Sequence, residues 1–520
     1  MRVRSVPGLI LIVAVSATIV GLGAAPVRAA ASAEPGSVER FGRIEFRPCT
    51  LAAPGMADTV AARCGTLTVP EAPPAAGAST TASSARTETA SLAPAQIRLA
   101  IAWVQAGAKR PRPDPVVMLA GGPGQSARDS FPLAAGAFRE ILRHRDVLLI
   151  DQRGTGGSNA LRCSSEAELE RLRDADPGPA DFRRLAAECA ARLDADLRHY
   201  TTSDAVRDLE SVREALGLER WNLLGISYGT RLGLEYLRRH PQRVRTLVLD
   251  AVVPPQLALG AEHARNLETA LDAQFERCAG DPVCRERFGV PRETLDRLLE
   301  RARREPPLVR YRDPFSNAPR EESLTPERIA GVARLYAYAP QLGAMLPMSL
   351  YEALAGRPET LMAQSRMIEG LVGASIAEGL QLSVTCAEDV DRLRVDPLDA
   401  GTLLGTAFVE TLQAQCEVWP RGTRPADFHD PVRSDRPVLL LSGEFDPVTP
   451  PRYGELVAAT LPNSRHLVVR GEGHGVIGAG CMPRLLARFV ESADPAALDP
   501  SCLERLQRVP PFTGSHGWEP

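Results

Sequence analysis

Beyond Ala25 the sequence has no apolar run long enough to cross a bilayer, which excludes a polytopic membrane protein. It also lacks any block of like charge, its basic residues being dispersed among acidic ones, so neither nucleic acid nor a strongly charged surface is an expected partner. No repeat of fixed period runs through it, which excludes a solenoid or propeller. No C-x-x-C stands with a His pair, so a zinc site is not expected, and no metal or organic cofactor is called for. Strand-like runs almost vanish between Leu249 and Val438.

Arg2 and Arg4 precede an uncharged stretch from Leu9 to Val20, followed by Val27-Arg28-Ala29. This order predicts a secretory signal over residues 1–29, hence a secreted or periplasmic product with no stable membrane span after cleavage. Loss of Arg2, Arg4 and Arg28 takes the formal charge from −3 to about −6. Ten cysteines in an exported chain read as a disulfide framework. They fall as sequential neighbours: Cys49 with Cys64, Cys163 with Cys189, Cys278 with Cys284, Cys386 with Cys416, and Cys481 with Cys502. Nearest-neighbour pairing would close short loops, although spacing by itself leaves other connectivities open.

Short apolar runs without alternation occur at Pro115 to Leu119, Val147 to Ile150, Trp221 to Leu224, Val244 to Leu249, Val438 to Leu441 and Leu467 to Val469. Such runs suit strands buried on both faces, and helical stretches such as Ser203 to Leu216 separate several of them, predicting an α/β fold built on a mostly parallel sheet. Residues 72–94, rich in Ala, Ser, Thr and Pro, predict a flexible loop. The mostly helical stretch over 256–430 reads as a cap inserted between two parts of one core, 30–255 and 431–520.

The sharpest local signal is Gly225-Ile-Ser227-Tyr228-Gly229, entered from a buried strand and left through a helix. A serine at such a turn is exposed for attack, and the helix start offers N–H groups to developing negative charge. A hydroxyl needs a base and the base an orienting acid, which in this fold follow in the order Ser, acid, His. Asp446 lies just after a late strand and His474 in a glycine-rich loop after the next, so Ser227, Asp446 and His474 are the candidate triad. The rival acids are Asp250, at the end of an earlier strand, and Glu444, while His144, His240, His263 and His466 read as surface or packing residues. Gly121-Gly122-Pro123-Gly124 lacks the Gly-Lys-Ser/Thr ending of a phosphate loop, so the oxyanion hole is assigned to the N–H groups of Tyr228 and Gly122.

These pieces, with Cys64-Gly-Thr-Leu-Thr-Val-Pro, Asp151-Gln-Arg-Gly-Thr-Gly-Gly-Ser158, Thr385-Cys-Ala-Glu-Asp389 and Gly443-Glu-Phe-Asp-Pro-Val-Thr-Pro450, resemble the exported tripeptidyl-aminopeptidase-like hydrolases. These are relatives of the proline iminopeptidases in peptidase family S33. The resemblance implies an α/β-hydrolase fold with a helical cap and release of short peptides or single residues from free N-termini. Ala120 stands where a histidine commonly precedes Gly-Gly-Pro-Gly, and Tyr228 where tryptophan commonly follows the serine, which departs from a strict proline iminopeptidase. The alternatives are a carboxylesterase or lipase acting on small esters with the same triad, and a non-catalytic binding protein on the same fold. An aminopeptidase must hold an α-ammonium, and Glu388 and Asp389, beside Cys386, are the expected anchors.

Overall fold

A computed structural model describes residues 37–54, 57–73, 95–163, 178–514 and 517. The expected signal and most of the 72–94 loop lie outside the described residues. The chain opens with β1 (Glu39–Phe41), β2 (Ile44–Ala52), β3 (Thr59–Pro70) and β4 (Gln96–Val104), each antiparallel to the next. Along β2, residues on one side, such as Ile44 and Phe46, are buried while their neighbours are exposed, as expected of a sheet with one solvated face. Cys49 and Cys64 join β2 to β3.

After β4 the sheet turns parallel. β5 (Val116–Leu119), β6 (Val147–Ile150), β7 (Trp221–Ile226), β8 (Val244–Asp250), β11 (Val438–Gly443) and β12 (Ser464–Val469) complete the order β1-β2-β3-β4-β6-β5-β7-β8-β11-β12. β5, β6, β8 and β11 are almost wholly buried because helices cover both faces, and this is why their sequences are apolar without alternation. Parallel register from β5 to β12 brings the carboxyl ends of β5, β7, β8, β11 and β12 to one edge.

The helix expected from Ser203 to Leu216 forms as Thr202–Ala215, and the helix that leaves the serine turn as Tyr228–Arg239. Thr201 caps the first: its hydroxyl accepts the Asp204 N–H while the Asp204 carboxylate accepts the Thr201 N–H at 3.1 Å.

Between β8 and β11 lie helices including His263–Gly280, Pro291–Arg304 and Pro326–Tyr336, which share an apolar cluster around Leu271, Leu299, Val332 and Leu361, and Ala407–Cys416, whose Val409 and Cys416 join other clusters. This stretch also holds an unexpected antiparallel hairpin, β9 (Leu308–Arg312) with β10 (Pro319–Ser323). Its two strands are mostly arginine, glutamate and proline, with Val309 and Tyr311 alone fully turned inward on β9, so the apolar signal of a strand is faint. All five cysteine pairs are the sequential neighbours expected, and no described cysteine is free.

Candidate active site

Ser227 follows β7 and precedes the helix Tyr228–Arg239, with φ 54° and ψ −123°. A non-glycine residue in this region is strained by about 1–2 kcal/mol, so neighbouring contacts must hold it. A Cβ on Gly225 would strike the Gly229 carbonyl oxygen, and one on Gly229 would strike that of Leu119. Glycine is therefore required on both sides of the serine. The Ser227 N–H donates to the Asp250 carbonyl at 2.8 Å, and the Thr230 hydroxyl donates to the Ser227 carbonyl at 2.6 Å.

Tyr228 is the first residue of its helix, so its N–H has no acceptor within the helix and sits at the positive end of the dipole. The Gly121-Gly122 loop runs alongside: a Cβ on Gly121 would lie 3.2 Å from the Ser227 Cβ, and Gly122 has φ 106°. Two backbone segments thus flank the serine, as an oxyanion site needs.

Asp446 and His474 meet from the loops after β11 and β12. Asp446 accepts the N–H groups of Val448 and Thr449, both at 2.8 Å, and the Thr449 hydroxyl at 2.8 Å. So fixed, its oxygens stand 2.9 and 3.0 Å from His474 Nδ1. A carboxylate at Nδ1 selects the tautomer protonated there and leaves Nε2 free as a base. Burial opposes ionisation of Asp446, but His474 and the donated hydrogen bonds outweigh it and hold the carboxyl below its usual range. Desolvation likewise pulls His474 down, yet the charge and hydrogen bond of Asp446, helped by Asp250, leave it above the ordinary imidazole value. The His474 N–H donates to the Tyr338 carbonyl at 2.8 Å, and the Tyr338 ring meets the imidazole edge-on at 5.1 Å.

The rival acids have other partners. The buried Asp250 carboxylate accepts the N–H groups of Val476 at 2.9 and 3.0 Å and of Ile477 at 3.1 Å, not the imidazole. Burial pushes it up to about 6. Glu444 accepts the Gly471 N–H at 2.7 Å and pairs with Arg508. Asp151 ties loops beneath the serine, accepting from the Ser126 hydroxyl and the N–H groups of Arg128 and Gly157. His466 bonds Ser442 on β11.

Glu388 and Asp389 do not open toward a substrate, which corrects the expectation that they anchor an ammonium. Both are wholly buried. Glu388 accepts the Thr202 N–H at 2.6 Å and the Thr202 hydroxyl at 2.9 Å; Asp389 pairs with Arg231 at 2.7 Å. The Thr202 hydroxyl also bonds the Tyr228 phenol at 2.7 Å, which Gln152 Nε2 reaches at 3.2 Å. The pair therefore belongs to a buried network under the turn at Ser227. Sequence spacing places the two acids near a disulfide but says nothing of Arg231, which pairs with Asp389 from another helix.

The stretch between β8 and β11 adds neighbours of His474 that no sequence signal pointed to, and brings in His263, which reads from sequence as a packing residue. Tyr338 touches His474; His263, Arg334 and Phe408 cluster near it. No motif marks them, because they converge from separate helices.

Residues 114–478 match the family described as the alpha/beta hydrolase fold, and the chain belongs to that family. It is a serine hydrolase of this fold. Serine protease Hip1 of Mycobacterium tuberculosis (strain ATCC 25618 / H37Rv) is 25% identical over 421 residues, covering 72% of this chain and 78% of that protein. The tripeptidyl aminopeptidase of Streptomyces lividans is 35% identical over 175 residues, 31% of this chain and 32% of that one. Carboxylesterase B of Mycobacterium tuberculosis (strain ATCC 25618 / H37Rv) is 33% identical over 284 residues, covering 50% and 51%. Among solved structures, proline iminopeptidase from Mycobacterium smegmatis aligns with TM-score 0.38 and 19% identity over 77% of this chain and 97% of that one.

Proposed function

We propose that this chain is an exported peptidase that cuts peptides near a free N-terminus, with Ser227 as nucleophile. Ser227 Oγ attacks the scissile carbonyl while His474 Nε2 takes its proton. Asp446 orients the imidazole and stabilises its charged form. The N–H groups of Tyr228 and Gly122 hold the oxyanion, the proton passes to the leaving group, and water then hydrolyses the acyl-enzyme. Every proton in this sequence has a protein group or water to receive it, so no step calls for a metal or organic cofactor. Residues 256–430 act as a helical cap over the strand ends, and residues 30–255 and 431–520 form the hydrolase core.

The observation that carries this reading is the Asp446–His474 pair at 2.9 Å, on the sheet edge where Ser227 sits in its left-handed turn. The relatives named serine protease and tripeptidyl aminopeptidase support a peptide substrate. Five disulfides and the signal pattern over 1–29 support export. An esterase acting through the same three residues is the second reading, favoured by the relative named carboxylesterase B. A fluorophosphonate probe should label wild type and not Ser227→Ala. Chromogenic peptides with free and N-acetylated termini, assayed beside short-chain esters, decide between peptidase and esterase. Turnover of esters and of no peptide would overturn the peptidase reading.

A further inference from the structure

Of four side chains from the stretch between β8 and β11, Tyr338 meets His474 directly, while Arg334, Phe408 and His263 pack on one another, and one of them carries a charge that no carboxylate matches. Tyr338 packs its ring on the imidazole and accepts the His474 N–H. Arg334 lies four residues before Tyr338, at the end of the helix Pro326–Tyr336, with its guanidinium carbon 5.2 Å from the Phe408 ring centroid. The other neighbour of Phe408 is His263, 5.3 Å away ring to ring.

None of these neighbours balances the arginine. Burial first, then the charges of Arg334 and His474, push His263 down to about 3, so its imidazole is neutral. His263 Nδ1 is buried and has no hydrogen-bond partner among the described residues. Asp446, the nearest carboxylate to act on His263, is committed to His474, Thr449 and Val448. Among the described residues Arg334 makes no ion pair with a carboxylate. By contrast Arg231, which reaches the site's underside, is matched by Asp389. The acids lie below the serine with their counter-charge, whereas Arg334 hydrogen-bonds the side chain of Tyr338, whose ring meets the imidazole edge-on.

That side of the site belongs to the leaving group. In acyl transfer through Ser, His and Asp, the imidazole delivers its proton to the departing atom, while the oxyanion points away toward the backbone N–H groups. A guanidinium presents a planar fork that fits a carboxylate in two parallel hydrogen bonds, and ring walls raise the strength of that pairing by excluding water. We propose that Arg334 binds a carboxylate carried by the leaving group, so that the preferred substrates are short peptides cut close to a free C-terminus. The unpartnered His263 Nδ1 offers a second polar contact to the same group, and Phe408 an apolar wall for its side chain. This inference rests on the assignment of Ser227 and His474 as nucleophile and base.

The test uses matched N-terminally free peptides that end in a neutral residue as free acid, in the same residue as C-terminal amide, and in an aspartyl amide. Wild type should cleave the free acid with kcat/KM about tenfold or more above the neutral amide, the size of one charge-assisted pairing. An aspartyl amide as good as the free acid would show that a side-chain carboxylate serves equally. In Arg334→Gln the acid-to-amide ratio should fall to within about threefold of one, and Arg334→Lys should recover part of it. Thermal melting of each variant checks that the fold is intact. Equal cleavage of acid and neutral amide by wild type, or a ratio unchanged in Arg334→Gln, overturns the proposal. If no peptide is cleaved, the peptidase reading fails by itself. The Arg334 proposal is then decided by esters whose alcohol carries a carboxylate or its methylamide, with the same ratio expected.

Discussion

The backbone carbonyl of Asp250 receives the N–H of Ser227 at 2.8 Å, while its carboxylate receives the N–H of Val476, two residues beyond His474. One fully buried residue thus ties the turn at Ser227 to the loop at His474. In Asp250→Asn one of the two acceptor oxygens becomes an NH2 facing amide N–H groups, so the loop must shift. The expected result is a fall of about ten- to a hundredfold in kcat with little change in KM, since displacement near 1 Å is enough to disrupt attack. Steady-state kinetics on the best peptide or ester decides it. A loss as large as that of Asp446→Asn would return Asp250 to consideration as the orienting acid.

Ser227→Ala and His474→Ala should each lower kcat by at least about a thousandfold with an unchanged melting temperature. Asp446→Asn should be severely impaired as well, because an amide at that position no longer selects the working tautomer of His474. Activity within about tenfold of wild type in any of the three would remove that residue from the triad.

The pH profile follows from His474. Its protonated form cannot accept the serine proton, and Asp446 with Asp250 holds its pKa above the ordinary value of 6.5. The acid limb of kcat/KM should therefore have its midpoint above 6.5. Removing the Asp250 charge should move that midpoint down, which a pH series on Asp250→Asn measures.

Stability carries the opposite signature at Glu388, whose carboxyl burial pushes from 4.5 up to about 8. The folded protein holds that proton more tightly than the unfolded chain, so this group's contribution is full below 4.5 and is lost as pH rises toward about 8. Glu388→Gln titrates nowhere in that window. Its melting temperature should decline less with rising pH than that of wild type, and parallel declines in the two proteins would show that Glu388 is not the group responsible.

Disulfide removal should scale with loop size. Cys386 and Cys416 close a separation of 30 residues, whereas Cys278 and Cys284 close 6. Loop entropy assigns the first about 3.5 kcal/mol and the second about 2 kcal/mol. Denaturant unfolding of the two double Cys→Ala variants should rank them in that order.

Much of the fold was written in local sequence. A strand covered on both faces must be apolar throughout, so β5, β6, β7, β8 and β11 were visible as runs without alternation. Ser227 was visible because only glycine fits at Gly225 and Gly229, where backbones cross. The cysteines were paired by proximity along the chain because the loops they close are short. Tertiary structure alone decided which charges are spent. Glu388 and Asp389 look in sequence like an open acidic pair, and become a buried one because Arg231 and Thr202 arrive from other helices. Arg334 looks like one more helical surface arginine, and becomes a cation without a carboxylate partner, held against Phe408 and Tyr338, because these residues converge from separate helices. A charge is set by what surrounds it in space, and neighbours 70 residues away along the chain leave no periodicity by which to find them.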